Sequence, residues 1–287
     1  MSDDGTVACL RVTAAEDRAD ELCWCLERAR ATSIETRDAS TMTAEQAGRI
    51  LLLAGFSDAR SRDEARATVA GRAGATEVAA VDVGDDGWSI GWREFHRPVV
   101  LERLEVLTPW MEPSAGARTA IVIDPGRAFG TGGHATTGLV LEMLERRSAT
   151  GRLDQVLDVG TGSGVLAIAA IKLGARGARA IDNDPEAVEA ARENARRNGV
   201  DGVVEISKSE PSDLRGEHRL VLANIDLPVF RRCAADISEL VATEGEVLIS
   251  GLLEEQVDDC LGLWPGYEVV ERCDRGEWSA LALRKAR

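Results

Sequence analysis

Residues 156–164 read Val-Leu-Asp-Val-Gly-Thr-Gly-Ser-Gly, an apolar run that ends on Asp158 and breaks into glycines at alternate positions, Gly160, Gly162 and Gly164. A helix-like stretch follows over residues 165–173, and a second apolar run closes on Asp182. The pattern predicts a buried strand, a tight glycine turn, a helix and a second strand with a carboxylate at its tip. Glycines at such a turn let the backbone approach a ligand that side chains would hold off. A carboxylate at the second strand tip is placed to accept hydrogen bonds from both hydroxyls of a ribose. The combination belongs to a nucleoside-cofactor site.

Two cofactor classes compete for such a loop. The dinucleotide fingerprint is G-x-G-x-x-G, with a helix N-terminus holding a pyrophosphate. Here the third glycine comes one residue early, and Val165 sits where the dinucleotide pattern wants Gly or Ala. S-adenosylmethionine carries no phosphate, so its loop need only pass close to the amino-acid part of the ligand. Asp158, just before the glycines, suits a ligand with a charged ammonium group. We therefore read an S-adenosylmethionine site. An adenine-nucleotide oxidoreductase and a non-catalytic cofactor-binding module are the competing readings.

Composition bounds the rest. A chain of 287 residues with 44% hydrophobic content holds a full α/β domain plus a smaller one. No apolar run approaches the roughly 20 residues of a membrane span, and the acidic start, Met-Ser-Asp-Asp-Gly, has no apolar segment of a signal peptide. Cys9, Cys23, Cys25, Cys233, Cys260 and Cys273 are scattered without a C-x-x-C or a nearby His, which predicts free thiols in a reducing cytoplasm rather than a disulfide frame or a metal site. The formal net charge of −15 argues against direct nucleic-acid binding. It is compatible with a basic protein partner, and equally with solubility alone. Oligomeric state is left open.

The order of segments gives two domains and a connector. Residues 1–85 alternate as strand 7–12, helix 15–30, strand 33–36, strand 50–54, helix 62–72 and strand 77–83, the βαββαβ order of a ferredoxin-like α+β plan. Residues 86–111 hold Trp88, Trp92 and Trp110 around Arg93, Phe95 and His96, and read as an inter-domain linker. An aromatic substrate cage is the functional alternative for that stretch. Residues 112–287 alternate helices and strands with short loops, predicting a seven-stranded, doubly wound Rossmann-like sheet. Its strands fall at 156–159, 178–182, 203–206, 220–224, 246–250, 268–272 and 279–283, with helices near 136–147, 166–173, 185–198, 229–241 and 254–261. The last two strands are too closely linked for a crossover helix and should pair antiparallel.

Ligands in such a sheet sit at the carboxyl ends of the strands. Four segments converge there: the glycine loop, Asp182, Asn224 at the end of the fourth strand, and residues 129–137, Phe-Gly-Thr-Gly-Gly-His-Ala-Thr-Thr. A glycine- and threonine-rich loop at a helix start offers N–H groups and hydroxyls to an anion, here a cofactor carboxylate. Thr136 or Thr137 as a plain helix cap is the alternative.

At these residues the chain resembles the ribosomal protein L11 methyltransferases. Asp124-Pro125-Gly126 through Thr137 resembles the family's D-P-G-x-A-F-G-T-G-x-H-x-T-T signature, and residues 156–164 its V-L-D-V-G-x-G-S-G loop. Asp182-Asn183-Asp184-Pro185, Glu193-Asn194-Ala195, Asn198-Gly199, Ala223-Asn224-Ile225, Ser250-Gly251-Leu252-Leu253, Glu277-Trp278 and the stretch from Trp92 to Pro98 are similar to further family elements. The resemblance implies a small substrate-recognition domain hinged to an S-adenosylmethionine-dependent methyltransferase domain. It implies methylation of amino groups, α-amine or lysine, on one protein of the large ribosomal subunit. Carried over by position, cofactor contacts are expected on Thr137, Gly160, Asp182 and Asn224, and we add Gly162, Phe129 and Thr131. From the chemistry of the reaction we expect Asn224 to orient the acceptor amine through its side-chain or backbone carbonyl oxygen.

The chain departs from the family pattern at three places. Thr161 replaces a common Cys, a change expected to be harmless, and Ala135 stands where Pro is usual. Asn224-Ile225-Asp226-Leu227-Pro228 carries an acid where the family has none. Asp226 either holds the incoming ammonium or takes up a proton, or is a solvated loop carboxylate. His134 either lines the pocket or is hydrogen-bonded within its own loop. The expected protein substrate is L11, with a different protein as the alternative.

Overall fold

In a computed structural model, residues 7–15, 18, 22, 25–26, 29–31, 33–37, 49–70, 77–83, 98–116, 118–124, 134–151 and 153–287 are described. The chain divides into two units, Met1–His96 and Arg97–Arg287.

The first unit contains a four-stranded sheet in the order β2-β3-β1-β4. Its strands are β1 (Val7–Ala15), β2 (Ser33–Arg37), β3 (Arg49–Phe56) and β4 (Glu77–Val83), every adjacent pair antiparallel. Helix α1 (Ala59–Ala70) joins β3 to β4 and buries Ala65 and Val69. Leu10, Val12 and Ala14 alternate along β1 into the same core as Leu52 and Ala54 of β3, the period-two signature of a sheet with one covered face. Strand β1 runs through Ala15, where the sequence predicted a helix to begin. Most of the predicted helix 15–30 lies outside the described residues.

The second unit opens with three short strands absent from the sequence reading: β5 (Val99–Val100), β6 (Leu104–Leu107) and β7 (Thr119–Val122), in one sheet. The later part of the expected connector is thus built into this unit, because β6 is buried along its whole length. Glu105 in its middle is buried and satisfied by the backbone N–H and hydroxyl of Ser114. Helix α2 (Ala135–Ala149) anchors the β5–β6 turn, its Glu145 accepting from the N–H groups of Glu102, Arg103 and Leu104 at 3.2, 2.9 and 2.8 Å.

The large sheet has seven strands in the order β10-β9-β8-β11-β12-β14-β13. They are β8 (Gln155–Val159), β9 (Gly177–Asp182), β10 (Val204–Lys208), β11 (His218–Asn224), β12 (Val241–Leu253), β13 (Tyr267–Arg275) and β14 (Trp278–Lys285). Strand β14 inserts antiparallel between β12 and β13, while the pairs from β10 to β12 are parallel. Alternate residues feed two cores. Val156, Leu220 and Leu222 face α2 and α3 (Val165–Lys172), whereas Leu157, Val221 and Ala223 face α5 (Leu227–Leu240) and α6 (Val257–Leu261). The near-continuous apolar runs of the central strands follow from this two-sided burial.

Helix α4 (Pro185–Arg197) begins as expected, with the Asp184 side chain accepting from Glu186 N–H and Pro185 in the first turn. Helix α5 ends at Leu240, and β12 starts at once with Val241, a residue the sequence placed in the helix. Its place is set by pairing with His218 of β11 and complete burial. Among the described residues no helix is long and apolar enough to cross a membrane.

Candidate functional site

Register brings the strand tips level. Val159 of β8 pairs with Ile181 of β9 and with Ala223 of β11, so Gly160, Asp182 and Asn224 leave the sheet side by side, and Asn224 pairs with Ser250 of β12. The glycine loop turns here because Gly160, Gly162 and Gly164 all have positive φ, at 69°, 53° and 84°. A Cβ on Gly160 would come within 2.6 Å of Ile225 Cγ2, so the tip of β11 closes directly over the loop. The Gly160 and Thr161 N–H groups donate to the Ile181 carbonyl at 2.9 and 3.0 Å, fastening the loop to β9.

Asp182 is held from both sides. Gly162 N–H donates to Oδ2 and Asp184 N–H to Oδ1, each at 3.0 Å. A carboxylate offers about four lone-pair directions, so these two bonds fix its orientation and leave acceptor capacity at the strand tip.

Asp158 is fully buried. Its Oδ2 accepts from the Thr161 hydroxyl at 2.6 Å and from Ala167 N–H at 3.2 Å, while Oδ1 has no hydrogen-bond partner among the described residues. Burial pushes the carboxyl up from 3.8 to about 6, against the two donors that lower it; the charge of Asp182 adds to the rise. The Thr161 hydroxyl is the closest donor to the buried acid.

Thr137 and Asn224, far apart in sequence, meet at 3.2 Å, with Asn224 Nδ2 donating to Thr137 Oγ1. Thr137 is fully buried, and the Asn224 Oδ1 atom is buried without a partner among the described residues. The cap of α2 is neither threonine but His134, whose Nδ1 accepts from Thr136 N–H at 3.4 Å and lies 2.8 Å from Thr136 Oγ1. The His134 ring also packs edge-on against Trp278, centroids 4.8 Å apart.

Asp226 is exposed and caps α5, its Oδ1 accepting from Val229 N–H at 2.9 Å. Phe129 and Thr131, named as cofactor contacts, lie outside the described residues, as do Trp88 and Trp92.

Sequence reasoning names Asn194 only as part of a family-like motif and gives it no role. It sits buried on α4, accepts from Asp124 N–H at 2.9 Å and donates to the Ser163 carbonyl at 2.9 Å. An amide at a position three residues beyond the buried Ala191 was the available signal.

Seven strands in this order, a glycine loop at the first tip and an acid at the second define an α/β methyltransferase. The comparisons with known proteins narrow this. The sequence profile of the ribosomal protein L11 methyltransferase (PrmA) family matches residues 6–286, and the chain belongs to that family. A ribosomal protein L11 methyltransferase of Sorangium cellulosum is 37% identical over 254 residues, 87% of this chain and 80% of the relative. One from Geobacter sulfurreducens is 43% identical over 70% of this chain and 67% of its own. The crystal structure of the ribosomal protein L11 methylase from Lactobacillus delbrueckii subsp. bulgaricus aligns with TM-score 0.58 and 30% identity, covering 67% of this chain and all of that one.

Proposed function

We propose that the protein transfers methyl groups from S-adenosylmethionine to amino groups, α-amine or lysine, of ribosomal protein L11. The observation that carries the cofactor assignment is the pair of buried oxygens without a partner among the described residues, Asp158 Oδ1 and Asn224 Oδ1, flanking a glycine loop fastened to Asp182. Unpaired buried acceptors are costly, and a ligand bearing N–H and ammonium groups supplies what they lack. When bound, S-adenosylmethionine supplies a methyl group already activated on a sulfonium, so the chain itself has mainly to position and desolvate.

In this reading Asp182 accepts from the ribose hydroxyls, and Asp158 supplies the countercharge to the cofactor ammonium. Thr137 fixes the Asn224 amide so that its oxygen faces an incoming N–H. The acceptor amine needs a free lone pair. A lysine with pKa ~10.4 costs about 4 kcal/mol to deprotonate near pH 7.5, whereas an α-amine with pKa ~8 costs under about 1 kcal/mol. Asp226, two residues beyond Asn224 and exposed, is the carboxylate we assign to meeting the incoming ammonium, its other oxygen being engaged in the cap.

The antiparallel order β2-β3-β1-β4 of the first unit supports a ferredoxin-like plan, which we assign to recognition of the protein substrate. We assign recognition to the first unit, Met1–His96, and catalysis to the second, Arg97–Arg287, in place of the expected division into 1–85, a linker over 86–111 and 112–287. A basic protein partner fits the net charge of −15. A cytoplasmic location, with neither membrane nor direct nucleic-acid contact, accords with this assignment.

Calorimetric titration tests the cofactor. S-adenosylhomocysteine is expected to bind and NADH not to, and Asp182→Ala to weaken the former by about tenfold or more. Binding of NADH instead, or equal binding by wild type and Asp182→Ala, would remove the assignment.

A further inference from the structure

Helix α4 meets β7 through two amides one helical turn apart. Four helical residues rise about 6 Å and two strand residues about 6.7 Å, so Asn194 and Asn198 stand opposite Asp124 and Val122. Asn198 treats Val122 as a ladder partner: Oδ1 accepts from Val122 N–H at 2.9 Å and Nδ2 donates to Val122 O at 2.7 Å. Asn194 repeats this at Asp124, accepting from its N–H at 2.9 Å, with Nδ2 3.4 Å from its carbonyl oxygen. The opposite edge of the same strand is taken by β6, with Ile123 N–H donating to Leu107 O at 2.8 Å. Side-chain amides therefore complete an edge that would otherwise present unpaired backbone groups.

Asn194 does one thing that Asn198 does not. Its Nδ2 also donates to the carbonyl of Ser163, inside the glycine loop, at 2.9 Å. The adjoining Gly164 sits on the same helix face, where a Cβ would lie 3.1 Å from Ala191 Cβ and 3.2 Å from Ala191 Cα. One buried amide thus joins the loop that would carry the cofactor to Asp124, the residue from which the segment bearing Phe129 and Thr131 departs.

We propose that Asn194 is a positioning residue of the cofactor site, setting the glycine loop and the end of β7 in one register. This rests on the S-adenosylmethionine reading above. A merely structural amide would stabilise the fold without a selective effect on binding. Asn198 provides the internal comparison, because it makes the same ladder contacts and reaches no atom of the loop.

The test uses the full-length protein and its Asn194→Ala, Asn194→Asp and Asn198→Ala variants, titrated calorimetrically with S-adenosylhomocysteine and melted in parallel. Asn194→Asp keeps the acceptor for Asp124 N–H and removes Nδ2, and with it the 2.9 Å bond to Ser163 O and the longer 3.4 Å contact to Asp124 O. It therefore tests the loop contact with the main ladder bond retained, even if Asn194→Ala does not fold. Both Asn194 variants are expected to bind about tenfold or more weakly, and Asn198→Ala within about threefold of wild type although its melting temperature falls. Wild-type affinity in Asn194→Asp, or an equal loss in Asn198→Ala, overturns the proposal. Failure of the wild-type protein to bind S-adenosylhomocysteine overturns the functional reading itself, and the proposal with it.

Discussion

Asp158 lies out of solvent with Oδ2 held by Thr161 and Ala167 and with Oδ1 unpartnered among the described residues. In the proposed site, the burial of Asp158 would make recognition of the cofactor ammonium dependent on pH. Burial raises the carboxyl from 3.8 to about 6 in the unliganded fold. The folded state therefore holds this proton more tightly than the unfolded chain, so the group's contribution to stability is fully present below about 3.8 and is lost as pH rises through about 6. Binding a cation runs the other way, because an ammonium favours the carboxylate. Each pH unit below about 6 then adds ~1.4 kcal/mol to the cost of binding. Affinity for S-adenosylhomocysteine is expected to fall by up to about tenfold between pH 6 and pH 5, and Asp158→Asn to flatten the profile. A flat wild-type profile from pH 7 to 5 would contradict the pairing of Asp158 with the ammonium.

At the scale of elements, the end of β12 holds the Asn224 tip in place through Gly251. Its φ is +85°, and a Cβ there would stand 2.4 Å from the Ile225 carbonyl oxygen and 2.8 Å from its carbonyl carbon. Backbone rather than a flexible side chain is in the way, immediately after Asn224. Gly276 has φ +60° but open space around it, so Gly276→Ala carries only the conformational term of about 1–2 kcal/mol. Gly251→Ala is expected to lower the melting temperature further than Gly276→Ala and to weaken S-adenosylhomocysteine binding as well. Equal effects in the two variants would show that the β12–Ile225 contact does not shape the site.

The same elements show what the sequence made legible. Strand 220–224 could be read because two-sided burial makes its interior apolar and Asn224 ends it, while strands 156–159 and 178–182 each hold one polar residue, Asp158 or Arg179, inside an otherwise apolar run. Helix α4 could be read from Asp184-Pro185 and Asn198-Gly199. Strand β6 could not, since its buried Glu105 looks like a surface residue until Ser114 is folded against it. Nor could Asn194, whose partners at Asp124 and Ser163 are 70 and 31 residues away. The Thr137–Asn224 contact, spanning 87 residues, is not legible as a contact: the sheet plan brings both segments to the carboxyl ends of the strands, and the family resemblance names each residue as a cofactor contact.

At the scale of the whole molecule, each unit carries its own core. Leu10, Leu52 and Val69 share one in the first unit, and two more cover the faces of the large sheet in the second. The described residues proposed for the cofactor site all lie in the second unit, and choice of the protein that is modified is the role we propose for the first. The central claim joins these tasks, and transfer of labelled methyl from S-adenosylmethionine to purified ribosomal protein L11, with mass spectrometry to place the label, tests it most directly. Label on the L11 α-amine or lysines, with turnover in Asn224→Ala reduced more than its S-adenosylhomocysteine affinity, is the predicted result. Tight cofactor binding with no label on L11 would contradict the substrate assignment and point to another basic protein.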